Sequence, residues 1–333
     1  MTSMTRSVTS VVKSVTSAIL LSMVLMQWMG CAAPPGARRE AEQPSKILKD
    51  VTFRFVRAFG REGSRRGMLS DPRGISVDQL GRVYVADTGN HRIQTFDTDG
   101  RVVGEVGGFG WDPGQFNQPV DVCAQTGMNV YVADSENRRI QRLDRRLNFI
   151  ETISEFQGRE LSRPGALDVS TTGDLFVVDM DNRQVLRIDP FSKEGRAFGG
   201  MGYGGGSLVN PSGLAVDGER RVLVADQETG RILEFDSFGN FVASFGEGTL
   251  SQPTGCAVDT DGNVFVTDVQ VSQIVVFDRR GRFVQRFGTN GSGPGSFDRP
   301  MDAVFGPKGR LYVLDSGNNR IQVFEVMKDT EEH

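Results

Sequence analysis

The sequence predicts an all-β fold: a six-bladed β-propeller of four-stranded antiparallel blades, the last blade closed by the N-terminal strand. Three observations carry that reading. A short apolar motif ending in Asp occurs six times; each copy but the last holds four strand-like segments divided by turns; and the strand missing from the last copy stands ahead of the first. A period in the forties with strand content marks propeller blades rather than a string of separate domains.

The motif is Val83-Tyr84-Val85-Ala86-Asp87, and its closing Asp returns at 134, 179, 226, 268 and 315, spacings of 47, 45, 47, 42 and 47. A Pro (72, 119, 164, 211, 253, 300) opens a first strand such as Gly74-Ile75-Ser76-Val77. Turns such as Asp259-Thr260-Asp261-Gly262 follow, where Asp and Gly supply the required backbone chemistry. The motif itself is nearly all apolar, as suits a strand covered on both faces. Arg92–Asp97 makes a third strand and Gly100–Val106 a fourth. The sixth copy ends after Arg320–Phe324 without its fourth strand, and Phe53–Gly60 matches Gly281–Gly288, so the N-terminal strand is expected to complete it. Closure of that kind leaves no open sheet edge at the seam.

Ahead of the repeats, 1–30 reads as a targeting segment, with Arg6 and Lys13 before an apolar run from Val15 to Met26. The run is shorter than the roughly 20 residues that span a bilayer. It ends in Met29-Gly30-Cys31-Ala32, which resembles a bacterial lipobox with Cys31 as the lipidated residue; Trp28 departs from the usual Leu. The resemblance implies an exported protein anchored in the bacterial cell envelope, and Ala32 after the Cys implies the outer membrane where there is one. Residues 31–50 read as a polar tether able to reach about 60 Å, 51–326 as the propeller and 327–333 as a polar tail.

The repeats resemble NHL repeats, whose pattern is roughly P-x-G-I-A-V-D-x-x-G-x-V-Y-V-A-D-x-x-N-x-R-I-Q-x-F-D. Pro72 to Asp97 matches it almost residue for residue, and Pro300 to Phe324 closely in its second half. What recurs on every blade is scaffold. The closing Asp is expected to accept backbone N–H bonds in the turn, and Asn90, Asn137, Asn182 and Asn318 to serve left-handed or turn positions after it. Arg92, Arg139, Arg231 and Arg320 are expected to pair with carboxylates, and the apolar residue three before each Pro (Leu69, Phe116, Leu161, Leu208, Leu250, Phe297) to anchor its loop. Cys123 and Cys256, on blades 2 and 5, lie too far apart for a disulfide and are expected as buried free thiols.

Function is sought where the repeat is broken. The linkers 107–118 and 199–210 are Gly-rich and hold Trp111 and Tyr203, residue types that dominate binding hot spots. The residue after the repeat Asn is His91, Arg138 and Arg183 on blades 1 to 3, joined by Arg66, a basic rim suited to an acidic partner. Two residues after each Pro, Asp121 and Asp302 replace small residues, thin candidates for a metal at the channel mouth. No cofactor is expected. Of the enzymatic types the resemblance suggests, the amidating lyase needs three zinc-binding histidines, against His91 and His333 alone; the sugar lactonase needs a Glu, Asn and Asp set that the first strands do not match. A net charge of −4 speaks against a nucleic-acid partner. The favoured reading is a monomeric, non-catalytic envelope lipoprotein, membrane-held by its lipid, whose propeller face binds a protein or peptide. The alternative is an envelope hydrolase or lyase with a metal in the channel.

Overall fold

A computed structural model describes residues 47–331 apart from 126, 201, 203, 219 and 220. The leader 1–30, Cys31, most of the tether, Tyr203 and His333 therefore lie outside the described residues. Six antiparallel sheets of four strands follow one another in the chain. Blade 1 is Gly74–Val77, Val83–Asp87, Arg92–Phe96 and Val102–Gly107. Each first strand touches the first strands of both neighbouring blades, and the sixth touches the first, so the ring is closed.

The five motif residues are buried in every blade. Strand alternation explains why all of them must be apolar or satisfied. Tyr84 and Ala86 pack toward blade 2, against Val122, Val132 and Leu143. Val83 and Val85 pack toward blade 6, against Tyr312 and Leu314. A propeller core is thus a ring of inter-blade clusters, and each second strand serves two of them.

The seam forms as the repeats require. Ile47–Phe59 pairs with Arg320–Glu331, placing Phe55 opposite Phe324 and Phe59 opposite Ile321. Phe53 stacks on Phe287 of blade 5, ring centroids 4.1 Å apart. Fully burying such a ring is worth about 1.5–3 kcal/mol, of which the half-buried Phe53 gains a part. Pairing runs past the sequence-derived limits 51–326 at both ends, to Ile47 and Glu331, so residues 47–50 of the expected tether and 327–331 of the expected tail are strand. The reason is partly apolar: Leu48 and Val51 are buried beside Ala257 and Phe265. The rest is polar, since Val51 exchanges two hydrogen bonds with the Gln285 side chain, at 2.9 and 2.6 Å.

Candidate functional site

The face that carries the inter-blade linkers and the turns between second and third strands is organised by the repeat's polar residues. In blade 2, Asp134 is fully buried and accepts from Asn117 N at 2.7 Å, Arg139 Nε at 2.7 Å and Asn137 Nδ2 at 2.9 Å. Its backbone donor comes from the preceding linker, rather than from the following turn as the sequence suggests. Arg139 then donates to the carbonyls of Trp111, Asp112 and Gln115, and Asn137 to that of Gly110. Gln141 completes the clamp by accepting from Gly114 N and donating to Gln115 O. Blades 1 and 6 repeat the arrangement about Asp87 and Asp315. Arg231 departs from expectation: it donates to Thr229 Oγ1 at 3.2 Å. The left-handed residue of each turn is the one after the Asn; His91, Arg138, Arg183 and Asn319 have φ between 50° and 53°, while the Asn side chains bond the Asp.

This clamp separates scaffold from surface at Trp111. Its carbonyl is held at 2.6 Å by Arg139, yet its side chain is 65% exposed. Ser292 stands at the equivalent place before blade 6, its carbonyl held by Arg320 at 2.6 Å. The loop imposes no particular side chain there: Ser64 stands at the same place before blade 1, where Arg92 holds the next carbonyl, that of Arg65. Trp111 also heads an aromatic row: its ring meets Phe109 edge-on at 5.1 Å, and Phe109 meets His91 at 5.2 Å. His91 Nδ1 accepts from Gln118 N at 3.1 Å, which fixes the row's inner end. Phe109, 58% exposed, was not nominated from sequence, although its linker Gly108-Phe109-Gly110-Trp111 offered the signal. Arg138 and Arg183 are exposed at one repeated turn position on consecutive blades, spread along the rim, and Arg66 is exposed in the linker before blade 1. All six expected loop anchors are buried.

A cavity of about 910 Å³ runs along the ring axis, bounded at one face by Arg73, Gln118 and Arg163 and at the other by Asp259, Thr260 and Lys308. Asp121 and Asp302 lie in its wall with a third carboxylate, Asp168, which sequence reading missed. Each of the three binds its own following N–H and one N–H of the next blade. Asp121 reaches Leu167 N at 2.7 Å, Asp302 reaches Ile75 N at 3.0 Å and Asp168 reaches Val216 N at 2.8 Å. First strands of adjacent blades share no ladder, and these carboxylates satisfy donors that would otherwise be orphaned. Gly74 and Gly255 make room for the arrangement, since a Cβ at either would collide with Asp121 or Asp302. Burial lifts Asp168 to about 6 and Asp302 to about 7. Asp121 is raised well above the usual carboxylate range, by burial first and by the Asp302 charge second. The metal candidates are thus blade-to-blade staples, and among the described residues no three His, Cys, Asp or Glu side chains are grouped to hold a metal ion. Cys123 and Cys256 are buried free thiols, both pushed up by burial.

Comparison with known proteins agrees with this geometry. An NHL repeat model matches residues 69–96, and a model described as a 6-bladed beta-propeller matches residues 255–332. The Drosophila melanogaster protein brain tumor is 25% identical over 203 residues, 61% of this chain and 15% of that protein. The Caenorhabditis elegans B-box type zinc finger protein ncl-1 is 32% identical over 187 residues, 56% of this chain and 16% of that protein. The chain thus spans about a sixth of the length of either relative. Among solved structures, virginiamycin B lyase from Staphylococcus aureus superposes with a TM-score of 0.59 at 16% identity, covering 85% of this chain and 88% of the lyase. A gluconolactonase from Xanthomonas campestris gives 0.61 at 15% identity, covering 84% and 99%. At such identities the likeness concerns the fold alone. The closed ring makes this chain a six-bladed β-propeller, and the matched model places an NHL repeat in it at residues 69–96.

Proposed function

We propose that this protein is a non-catalytic, lipid-anchored module of the bacterial cell envelope, and that the face bearing Trp111 binds a protein or peptide partner. One observation carries the reading: the fold clamps the Trp111 carbonyl and leaves its ring exposed in a row with Phe109 and His91. Large aromatic rings with their backbones pre-ordered are what hot spots are made of, and the neighbouring Arg138 supplies a cation for an acidic segment. Among the relatives, human TRIM32 is named an E3 ubiquitin-protein ligase, an activity exerted on proteins; it is 38% identical over 68 residues, 10% of its length. The channel supports the enzymatic alternative less well, because each candidate carboxylate has both oxygens occupied by backbone N–H groups.

Crosslinking capture from envelope membranes tests the reading. Trp111→Ala should reduce capture about thirtyfold, the equivalent of about 2 kcal/mol for a hot-spot aromatic. Melting temperature should stay unchanged, because the clamp uses the backbone. Unfolding without a separable binding defect would make Trp111 a packing residue.

A further inference from the structure

The opposite face carries a second, unrelated surface. It is built from the turns joining first to second and third to fourth strands. In these turns one Asp fixes the backbone by accepting the N–H two residues on: Asp78 from Leu80 at 2.9 Å, Asp144 from Arg146 at 2.7 Å, Asp189 from Phe191 at 2.8 Å and Asp236 from Phe238 at 2.9 Å. The scaffold therefore requires only an N–H at the second position and leaves the side chain there free to vary.

What occupies that position is uneven around the ring. Blades 1 to 4 present Leu80, Arg146, Phe191 and Phe238, and Met128 adds a further tip on blade 2; the four apolar ones are 61% to 77% exposed. The acids at the same position, Asp99 on blade 1 and Asp261 on blade 5, are engaged by Arg57 and Lys328. The tips form one continuous band because adjacent turns are tied. Arg82 donates to Arg145 O at 3.4 Å, the Arg142 guanidinium lies 5.3 Å from the Phe191 ring centroid, and Arg187 donates to Ser237 O at 2.9 Å. Arg145 and Arg146 stand exposed beside Met128.

The same face is where the chain enters the ring. Ile47 pairs with Glu331, at the end of the strand pair that reaches past blade 6 to the Asp259–Asp261 turn of blade 5. Everything before residue 47, including the apolar run 15–26 and Cys31, therefore joins the propeller on this face. Apolar tips interleaved with cations are the composition that binds the boundary between headgroups and acyl chains.

We propose that this face docks flat on an anionic phospholipid bilayer, with Leu80, Met128, Phe191 and Phe238 entering the headgroup–acyl boundary and Arg145 and Arg146 on lipid phosphates. The Trp111 face then points away from the membrane. The inference deepens the anchored reading, but separates from it in experiment.

The test is hydrogen–deuterium exchange on the full chain reconstituted with phosphatidylglycerol vesicles and with phosphatidylcholine vesicles. Amides of 79–81, 145–147, 191–193 and 237–239 should exchange at least about fivefold more slowly on the anionic vesicles, while 88–91 and 135–138 are unchanged. The double variant Phe191→Ser, Phe238→Ser should lose that protection at an unchanged melting temperature. A chain that floats with the vesicles but shows no protected turns overturns the docking and leaves anchoring intact. Protection of the Trp111 face instead, equal protection on neutral lipid, or failure to float at all also overturns it.

Discussion

Between blades 5 and 6, 6 and 1, and 1 and 2 the linker is one loop in three copies; at the other three seams it meets the motif Asp differently. The repeated loop places Gly63, Gly110 and Gly291 at one end and Gly67, Gly114 and Gly295 at the other, and the following blade carries Asp, Asn, Arg and Gln in register. Elsewhere the linker before blade 3 forms a small hairpin, Glu155–Phe156 with Arg159–Glu160. Before blades 4 and 5 it delivers two consecutive N–H groups to the motif Asp: Val209 and Asn210 to Asp226, Ser251 and Gln252 to Asp268. The difference teaches that linker shape and repeat chemistry are one unit. A loop that turns several carbonyls inward needs the guanidinium and the Gln amide, because buried carbonyls must find donors. A loop that turns N–H groups inward needs only the carboxylate. The exposed aromatic row grew on the first kind, where the backbone is held on both sides and the side chain is unconstrained.

Opening the clamped sector at the seam, where only strand pairing and packing close the ring, should have the largest effect. Deleting 47–59 removes the outer strand of blade 6 and with it the Phe53–Phe287 stack. Cooperative melting should be lost and the protein should aggregate through the exposed edge, as read by circular dichroism and gel filtration; a melting curve like that of the intact chain would refute the seam.

Next in size is a matched pair. Asp134→Ala strands a largely buried Arg139 cation and should cost about 3–5 kcal/mol. Asp268→Ala orphans only backbone donors and should cost about 1–3 kcal/mol. Chemical denaturation reads both, and equal losses would erase the distinction between the two kinds of seam.

An effect of similar size belongs to the channel, which runs through both sectors. Asp168 stands at about 6 in the folded chain, above its unfolded value, so the folded state binds the proton more tightly. Its contribution is fully present below about pH 4 and is lost as pH rises through about 6, on the order of 3 kcal/mol. Denaturation midpoints should fall across that window, and Asp168→Asn should flatten the fall; an unaltered pH profile would show that Asp168 does not titrate there.

The repeat made much of this legible. The Asp at each motif end, the loop anchors from Leu69 to Phe297, and the match of Phe53–Gly60 to Gly281–Gly288 are local patterns written several times, so their meaning can be read by superposing copies. Asp168 was not legible in that way. It stands at a first-strand position filled by Ser76, Cys123, Ala215, Ala257 and Val304 in the other copies, and nothing in one strand reveals that its partner is Val216 N of the next blade.

By itself the sequence determined the number of blades, their strand order, the partner that closes the ring and the division between scaffold and variable positions. These depend on short-range periodicity and on residues that every blade must supply. Only the tertiary structure decided what meets across blades and faces: the channel staples, the Trp111–Phe109–His91 row, the extension of strand pairing to Ile47 and Glu331, and the band of Leu80, Phe191 and Phe238. Those arise from the closure of the ring, which brings residues some 45 or more positions apart into contact and sends alternate turns to opposite faces, relations that no single repeat encodes.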